Sequence, residues 1–238
     1  SSSASRTTYT YGNALIKAAN ALKMRILEKA TTLVVGSTTG DFVLSTNSVL
    51  HVPSGKIFTL AMISKLFNES ERVCTDNFTM PVVEDMNGVI YMGPHLIYSY
   101  GAHLVYIEMD VITGEVSVKD YLAITDVGRV INPQVLDQQI HGAIAQGLGY
   151  ALNEDYRVDK GIHLTRDFST YIIPTSMDVP DVCSITVEST EETGPFGMKG
   201  AGEIAMSGAL PAVANAIFDA CGIRIPNAPF TAEKVLKA

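Results

Sequence analysis

The chain has 238 residues, of which 47% are apolar and 18% charged, and its formal net charge is -8. A chain of this length can bury a substantial core. Its charged fraction is below the quarter that is usual in soluble domains, which indicates either that other chains cover part of its surface or that it packs tightly by itself. The acidic balance and the scattered Lys and Arg residues argue against a nucleic-acid-binding protein.

The three cysteines, Cys74, Cys183 and Cys221, lie far apart and form no CxxC pair. This spacing does not suit a disulfide framework or a zinc site, and it cannot supply the four thiolates of an iron–sulfur cluster. We find no apolar run long enough to cross a bilayer and no signal peptide at the start, and we therefore expect a cytoplasmic protein. The abrupt start at Ser1 leads us to expect a fragment or cleavage product of a longer chain.

Periodicity and turn residues predict a mixture of helices and strands. The expected helices and strands are, in chain order, a helix at 7–30, strands at 42–45 and 49–52, a helix at 56–67, an extended stretch at 72–83, a hairpin at 97–111 and 116–125, a helix at 132–153, a strand at 183–188 and helices at 209–221 and from 231. The segments 85–94 and 194–202 are expected to be loops.

The order of these elements shows no regular βαβ repeat, and we therefore predict an α+β fold of mixed sheets with packed helices. We treat residues 1–238 as one domain. A division into two lobes, 1–94 and 95–238, is the alternative.

The segment SSSASR, residues 1–6, leads directly into the first helix. A helix N-terminus offers unpaired N–H groups and the positive end of the helix dipole, and small hydroxyl side chains allow an anion to approach closely. A phosphate or a pterin amide would suit this position. A simple serine cap or a flexible tag is the competing interpretation.

The segment QGLG, Gln146 to Gly149, lies within the helix predicted over 132–153. A glutamine amide offers two donors and one acceptor, which would suit the edge of a heterocycle, and the glycines would leave room for a flat ligand. Alternatively, the glycines serve helix packing and the glutamine bonds a neighbouring loop.

The segment GPFGMKGAGE, residues 194–203, is a glycine-rich loop that ends in Glu203. A carboxylate near a reactive ligand is a candidate general base, whereas an acid at a helix start also complements the helix dipole. The loop lacks the GxxxxGK[ST] order of a Walker A motif and is not a GxGxxG fingerprint. The five histidines show no metal-ligand spacing, so a metal site made of protein ligands is not supported.

Taken in order, these segments resemble the molybdenum hydroxylases, the xanthine dehydrogenase and aldehyde oxidase family. The resemblance rests on SSSASR, DVGRVINP (126–133), HGAIAQGLGYALNE (141–154), YIIPTSMDVPD (171–181), GPFGMKGAGE and PAVANAIFDACGIRI, and it covers essentially the whole chain. It identifies the chain as similar to the C-terminal part of the molybdopterin-binding subunit.

The resemblance implies hydroxylation of a carbon of an N-heterocycle or aldehyde, with water as the oxygen source. Glu203, which closes the family's KGxGE motif, would be the general base. The residues that would contact the cofactor are Ser2, Ser3, Ser5, Gln146, Lys199, Gly200, Ala201 and Gly202. The molybdenum itself would be ligated by the pterin cofactor, with or without a cytosine dinucleotide.

The resemblance also implies partners. The upstream half of the cofactor site would lie on another molybdopterin-binding chain, and iron–sulfur clusters and FAD would lie on further chains. Two alternatives stay open: a non-catalytic subunit that holds the cofactor or assists assembly, and a fragment of a carbon monoxide dehydrogenase-type large subunit. An intact Glu203 favours the active hydroxylase.

Overall fold

The computed structural model describes residues 5–80 and 97–238. Contacts divide the chain into two compact units, one comprising Thr8–Val82 and the other Ser1–Thr7 with Val83–Ala238. This division differs from the alternative lobes 1–94 and 95–238, because the first residues belong with the later unit. Ser2, Ser3 and the loop expected at 85–94 lie outside the described residues.

The smaller unit contains most of a long helix and a three-stranded antiparallel sheet. Its elements are α1 (Arg6–Thr31, which begins in the other unit), β1 (Phe42–Leu44), β2 (Ser48–His51), β3 (Lys56–Thr59) and α2 (Leu60–Ser64). Single 3₁₀ turns lie at Thr39–Asp41 and Glu69–Arg72. Its core is made by Leu27, Ala30, Phe42, Val49, Ile63 and Phe67.

The prediction of a helix over 56–67 is wrong for its first four residues. Residues Lys56–Thr59 form β3, which pairs with β2, and the helix begins only at Leu60. β-Branched and aromatic residues such as Ile57 and Phe58 favour a strand when a partner strand is available. The side chain of Thr59 then caps the short helix by accepting a hydrogen bond from the Met62 N–H at 3.2 Å.

The larger unit is built on a mixed three-stranded sheet covered on one face by two helices. Its elements are β4 (Gly101–Met109), β5 (Val116–Asp126), α3 (Pro133–Leu152), β6 (Val158–Asp159), β7 (Ile162–His163), β8 (Asp181–Val187), α4 (Ile204–Cys221) and α5 (Ala232–Lys237). The strands β4 and β5 form the predicted hairpin, and β8 pairs parallel with β5. The predicted α+β fold is thereby confirmed.

The core of the larger unit lies between this sheet and the helices α3 and α4. Its buried residues are Tyr121, Ala123, Ile140, Ala143, Ile144, Leu148, Ala151, Ala205, Ala209, Val213, Ile217 and Phe230. The core therefore joins the helix that carries QGLG to the helix that follows GPFGMKGAGE.

The ends of α3 and α4 follow local rules. The Asn132 side chain accepts a hydrogen bond from the Val135 N–H at 3.1 Å, and Pro133 occupies the first turn, as the sequence predicts. Gly222 ends α4 with φ 73°, a left-handed conformation that suits glycine. The helix α4 begins at Ile204, earlier than the predicted residue 209, because burial of Ala205 outweighs the low helix propensity of Gly208.

Among the described helices, α4 has the length and the mean hydropathy, 1.4 over 18 residues, that a membrane span would need. The expectation that no apolar run is long enough to cross a bilayer is therefore wrong for Ile204–Cys221, by length and composition. Its side chains Ala205, Ala209, Val213 and Ile217 are buried in the core of the larger unit. We therefore interpret α4 as a core helix.

A histidine is enclosed between the sheet and α4. His103 on β4 has its Nδ1 2.6 Å from the Tyr121 hydroxyl, and its Nε2 has no hydrogen-bond partner among the described residues. The ring lies against Gly208, where a Cβ would collide with it. Burial lowers the pKa of His103, so the neutral ring is the form that this position favours.

Candidate active site

Two of the motifs that stand apart in the sequence lie side by side in the structure. The Lys199 N–H donates to the Val127 carbonyl at 2.9 Å, and the Arg129 N–H donates to the Gly197 carbonyl at 2.9 Å. Between them Gly128 has φ +62°, and a Cβ at Gly128 would lie only 2.9 Å from the Lys199 nitrogen. The DVGR segment therefore fixes the first half of the glycine-rich loop through backbone contacts.

The side chain of Lys199 is buried and held within the chain. Its ammonium donates to Asp126 Oδ2 at 2.6 Å and to the Tyr98 carbonyl at 3.0 Å. Asp126 Oδ1 accepts a second hydrogen bond from the Gly128 N–H at 3.1 Å. Sequence reasoning placed Lys199 against the cofactor, whereas the structure places its ammonium in a buried ion pair at the end of β5.

The Asp126 carboxyl is the counterpart of this buried charge. Burial by itself raises the pKa of Asp126, but hydrogen bonds from Lys199 and Gly128, together with the Lys199 charge, outweigh that effect and hold the pKa below its ordinary value. The Asp126 carboxylate is therefore ionised at neutral pH, and its contact with Lys199 ties the loop to the sheet.

The second half of the loop is held by the start of α1. The Gly202 N–H donates to Ser5 Oγ at 3.1 Å, and a Cβ at Gly200 would collide with the Ser5 carbonyl oxygen. Ser5 has φ 54°, a left-handed conformation that is uncommon for serine. The structure thus brings together Ser5, Gly200 and Gly202, which the sequence predicted to share a site.

Gly202 is also held from the other side by a residue that sequence reasoning missed. Gln139 on α3 donates from Nε2 to the Gly202 carbonyl at 2.9 Å. Both polar backbone groups of Gly202 are therefore fixed by side chains from distant elements. Gln139 precedes Gln146 by seven residues, a helical spacing that could have identified it.

Gln146 has an exposed side chain on α3. A separation of seven residues is about two helical turns, or roughly 10 Å, so Gln146 lies on the same face of α3 as Gln139. The amide is available to a ligand on the side of the helix that faces Gly202.

The glycines next to Gln146 serve packing. A Cβ at Gly147 would lie 2.5 Å from the Ala209 Cβ and 2.9 Å from the Met206 carbonyl oxygen of α4. A Cβ at Gly149 would approach Pro174 Cδ to 2.7 Å. The packing interpretation of QGLG therefore accounts for both glycines, and the close approach of α3 and α4 sets the position of the α4 N-terminus.

Glu203 is the N-cap residue of α4 and has φ −129° and ψ −9°. Its side chain is exposed and makes no capping hydrogen bond to the first turn. The expected helix-start position is thus observed, but the carboxylate is not used as a cap. Among residues 5–80 and 97–238, neither carboxylate oxygen of Glu203 has a hydrogen-bond partner, so both can accept a proton or a hydrogen bond from a ligand.

The side chains that could in principle ligate a metal ion do not cluster in the described structure. Within residues 5–80 and 97–238, no group of three or more His, Cys, Asp or Glu residues is placed to hold a metal ion. The polar groups at the candidate site are instead the Glu203 carboxylate, the Ser5 hydroxyl and the amides of Gln139 and Gln146. This donor set suits a polar organic ligand.

A family model described as a molybdopterin cofactor-binding domain matches residues 1–180. The chain is 38% identical over 150 residues to "Probable hypoxanthine oxidase XdhD" of Escherichia coli, a match that covers 62% of this chain and 16% of that protein. It is 32% identical over 239 residues to "6-hydroxypseudooxynicotine dehydrogenase complex subunit gamma" of Paenarthrobacter nicotinovorans, which covers 97% of this chain and 29% of that protein.

Solved structures show the same relationship. Quinoline 2-oxidoreductase from Pseudomonas putida is 27% identical, with a TM-score of 0.80, over 98% of this chain and 30% of that chain. The chain thus spans less than a third of the length of each of these proteins. The match to more than half of the chain shows that it belongs to the molybdenum hydroxylase family and corresponds to part of the molybdopterin-binding subunit.

Proposed function

We propose that the chain supplies the general base of a molybdenum hydroxylase that hydroxylates a carbon of an N-heterocycle or an aldehyde, with water as the oxygen source. The observation that carries the proposal is the exposed carboxylate of Glu203, which does not cap α4. It lies at the end of a loop in which hydrogen bonds hold both the N–H and the carbonyl of Gly202. Glu203 lies outside the range of the family match, so its role rests on this geometry and on the KGxGE motif.

The residues present fit a molybdopterin cofactor. The Ser5 hydroxyl accepts from Gly202 and keeps its own proton for donation, and the Gln146 amide is exposed. We assign cofactor contacts to Ser5 with its neighbours Ser2 and Ser3, to Gln146, and to the backbone of Gly200, Ala201 and Gly202. When bound, the cofactor supplies the redox chemistry, in which the substrate carbon loses two electrons and gains an oxygen atom from water.

Glu203 acts by accepting a proton at a carboxylate oxygen from the hydroxyl group that attacks the substrate carbon. General-base catalysis contributes typically about 10²–10⁴-fold, and it needs a base held in position before the reaction. The bonds from Ser5 and Gln139 to Gly202 provide that positioning. Lys199 acts indirectly, by fixing the loop through Asp126.

The activities after which the similar proteins are named support this substrate range. They include a probable hypoxanthine oxidase and a quinoline oxidoreductase, both named for N-heterocycles, and an aldehyde oxidoreductase subunit. We further propose partner chains that carry the upstream part of the cofactor site, iron–sulfur clusters and FAD, and a cytoplasmic location. One relative is named as the subunit of a complex, which supports the multi-chain proposal.

The test is Glu203→Gln in the native complex, with molybdenum and pterin measured on the same sample. The isosteric amide cannot accept the proton, so turnover should fall about 10²–10⁴-fold while both contents stay unchanged. Glu192→Gln, which alters an exposed acid earlier in the loop region, is the matched control and should remain active. Normal turnover of Glu203→Gln would favour the assembly-subunit alternative, and a freshly isolated complex without molybdenum would refute the cofactor assignment.

A further inference from the structure

The sheet of the larger unit carries apolar side chains on both faces. The face toward α3 and α4 belongs to the core. The opposite face, called here the outer face, carries Leu104, Tyr106, Leu122, Ile124, Ile185 and Val187. The side chains of Leu104, Tyr106, Ile185 and Val187 are 68%, 59%, 46% and 47% exposed.

Strand register places these side chains in continuous rows. Leu104 lies opposite Leu122, which lies opposite Cys183 on β8. In the next row, Ile124 lies opposite Ile185. Leu104, Leu122, Ile124 and Ile185 therefore form one apolar patch across all three strands. Tyr106 and Val187 extend it at its two ends, where they lie opposite Asp120 and Asp126.

Such a pattern is typical of a sheet that is buried on both sides. An antiparallel sheet with one solvated face normally alternates apolar and polar residues. Along β4 and β8 the alternate positions Leu104, Tyr106, Ile185 and Val187 break this rule, because they are apolar and point away from the core. The pattern predicts a cover for the outer face.

We propose that the outer face docks the remaining part of a molybdopterin-binding polypeptide, through an apolar surface of that part, whether the same chain or another one carries it. The inference rests on the proposed function for the identity of the occupant. Its support is length: this chain matches a solved structure over 98% of its residues yet corresponds to only 30% of that polypeptide. The low charged fraction, 18%, also fits a chain with covered surfaces.

Size argues against a second copy of this chain as the occupant. Three strands span about 10 Å across, and residues 104–106 with their neighbours span about 14 Å along a strand. Stable interfaces bury roughly 800 Å² on each partner, several times more than this patch provides. A pair of chains that buried only this patch and its symmetry mate would therefore be too small for a stable interface.

The test is photocrosslinking in the native holoprotein, with p-benzoylphenylalanine in place of Tyr106. The matched control carries the same group in place of Ile112, which is 84% exposed in the β4–β5 turn and lies off the outer face. Peptide sequencing should map the products from position 106 to the remaining part of the molybdopterin-binding polypeptide, at a yield at least fivefold above the control. Products within residues 1–238, products with a second copy of these residues, or a yield no higher than the control would each overturn the inference.

A charge on the outer face provides an independent measurement. Ile185→Glu should lower the molybdenum retained by the holoprotein at least tenfold relative to Val111→Glu. Val111 is the control because it lies in the hairpin turn and its side chain is 77% exposed. Retention equal to that of Val111→Glu would contradict docking and leave the role of Glu203 intact. Conversely, a Glu203→Gln holoprotein that still crosslinks at position 106 but remains fully active would refute only the proposed function.

Discussion

The Ser5 hydroxyl oxygen and the Gly202 backbone nitrogen lie 3.1 Å apart, although 197 positions separate them in the sequence. With the Gln139 amide on the Gly202 carbonyl, this contact immobilises the peptide that precedes Glu203. The candidate base is therefore positioned by Ser5, which directly precedes the first helix, and by Gln139 of the third helix, as well as by its own loop.

Ser5 and Gln139 form a clamp on Gly202, one on its N–H and the other on its carbonyl. Removing either hydrogen bond should lower turnover more than stability. A hydrogen bond of this kind contributes about 0.5–1.5 kcal/mol, so Ser5→Ala and Gln139→Leu should each reduce kcat by about 2- to 12-fold. Because both contacts act on one residue, Gly202, the double variant should lose less than the product of the two effects. The measurement is steady-state kinetics of the native complex. The neighbouring Gln138→Leu, also exposed on α3, is the control, and an equal loss in it would contradict the clamp.

Two glycines on α3 should respond oppositely to the same substitution. Gly147→Ala places a Cβ 2.5 Å from the Ala209 Cβ, and such overpacking typically costs about 1–3 kcal/mol. Gly142→Ala meets nothing within 4 Å and should stabilise the helix by about 1 kcal/mol. Thermal unfolding followed by circular dichroism compares the two. A Tm shift of the same sign in both variants would show that α3 and α4 are not in this close contact.

The buried pair Asp126–Lys199 should be much more sensitive than a surface pair. Lys199→Met leaves the Asp126 carboxylate uncompensated, which typically costs about 3–5 kcal/mol. The exposed pair Lys119–Glu108, at 3.1 Å, provides the control, since Lys119→Met should cost about 0–1 kcal/mol. The double variant Asp126→Leu with Lys199→Met should recover much of the loss in urea unfolding. No recovery would indicate that Lys199 has another essential contact.

His103 should make stability depend on pH in the weakly acidic range. Burial lowers the pKa of His103 in the folded state, so the unfolded state binds the proton more readily. The free energy of unfolding is therefore largest above about pH 6.5, the ordinary histidine pKa, and decreases as the pH falls from there toward the folded pKa. His103→Phe should flatten the curve in this window, and urea unfolding at several pH values measures it. An unchanged slope in the variant would assign the dependence to other histidines.

Gln146→Ala should weaken cofactor retention without affecting folding. Loss of one polar contact typically costs about 1–3 kcal/mol, which corresponds to about 5- to 150-fold in affinity. Pterin content after dialysis and unfolding midpoints are the two readouts. Gln134→Ala, an exposed glutamine at the start of the same helix, should retain the wild-type content. Equal pterin content in both variants would show that Gln146 does not contact the cofactor.

The sequence predicted those features that local rules determine. Asn132 before Pro133 correctly predicted the start of α3, and Gly222 correctly predicted the end of α4. The segment 56–67 was mistaken for one helix because its apolar spacing is ambiguous, and only pairing with β2 turns Lys56–Thr59 into a strand. Tertiary context decided that element.

The site was predicted unevenly for the same reason. The motif order identified Glu203, Ser5 and Gly200 as neighbours, and the described structure brings Ser5 and Gly200 together. The Lys199 side chain was assigned to the cofactor because sequence does not show that Asp126 lies beneath it. Gln139 was overlooked because its partner is a backbone carbonyl on a distant loop; the seven-residue spacing to Gln146 indicates a shared helix face but not that partner.

The contact between α3 and α4 at Gly147 has a consequence for how this part of the protein tolerates sequence drift. Because a glycine on one helix meets the backbone of the other, the spacing between the Gln139–Gln146 face and the start of α4 is set by main-chain atoms. Substitutions in the surrounding apolar side chains can therefore accumulate without changing that spacing. The position of this face relative to the start of α4 can persist through such drift, provided that the glycine persists.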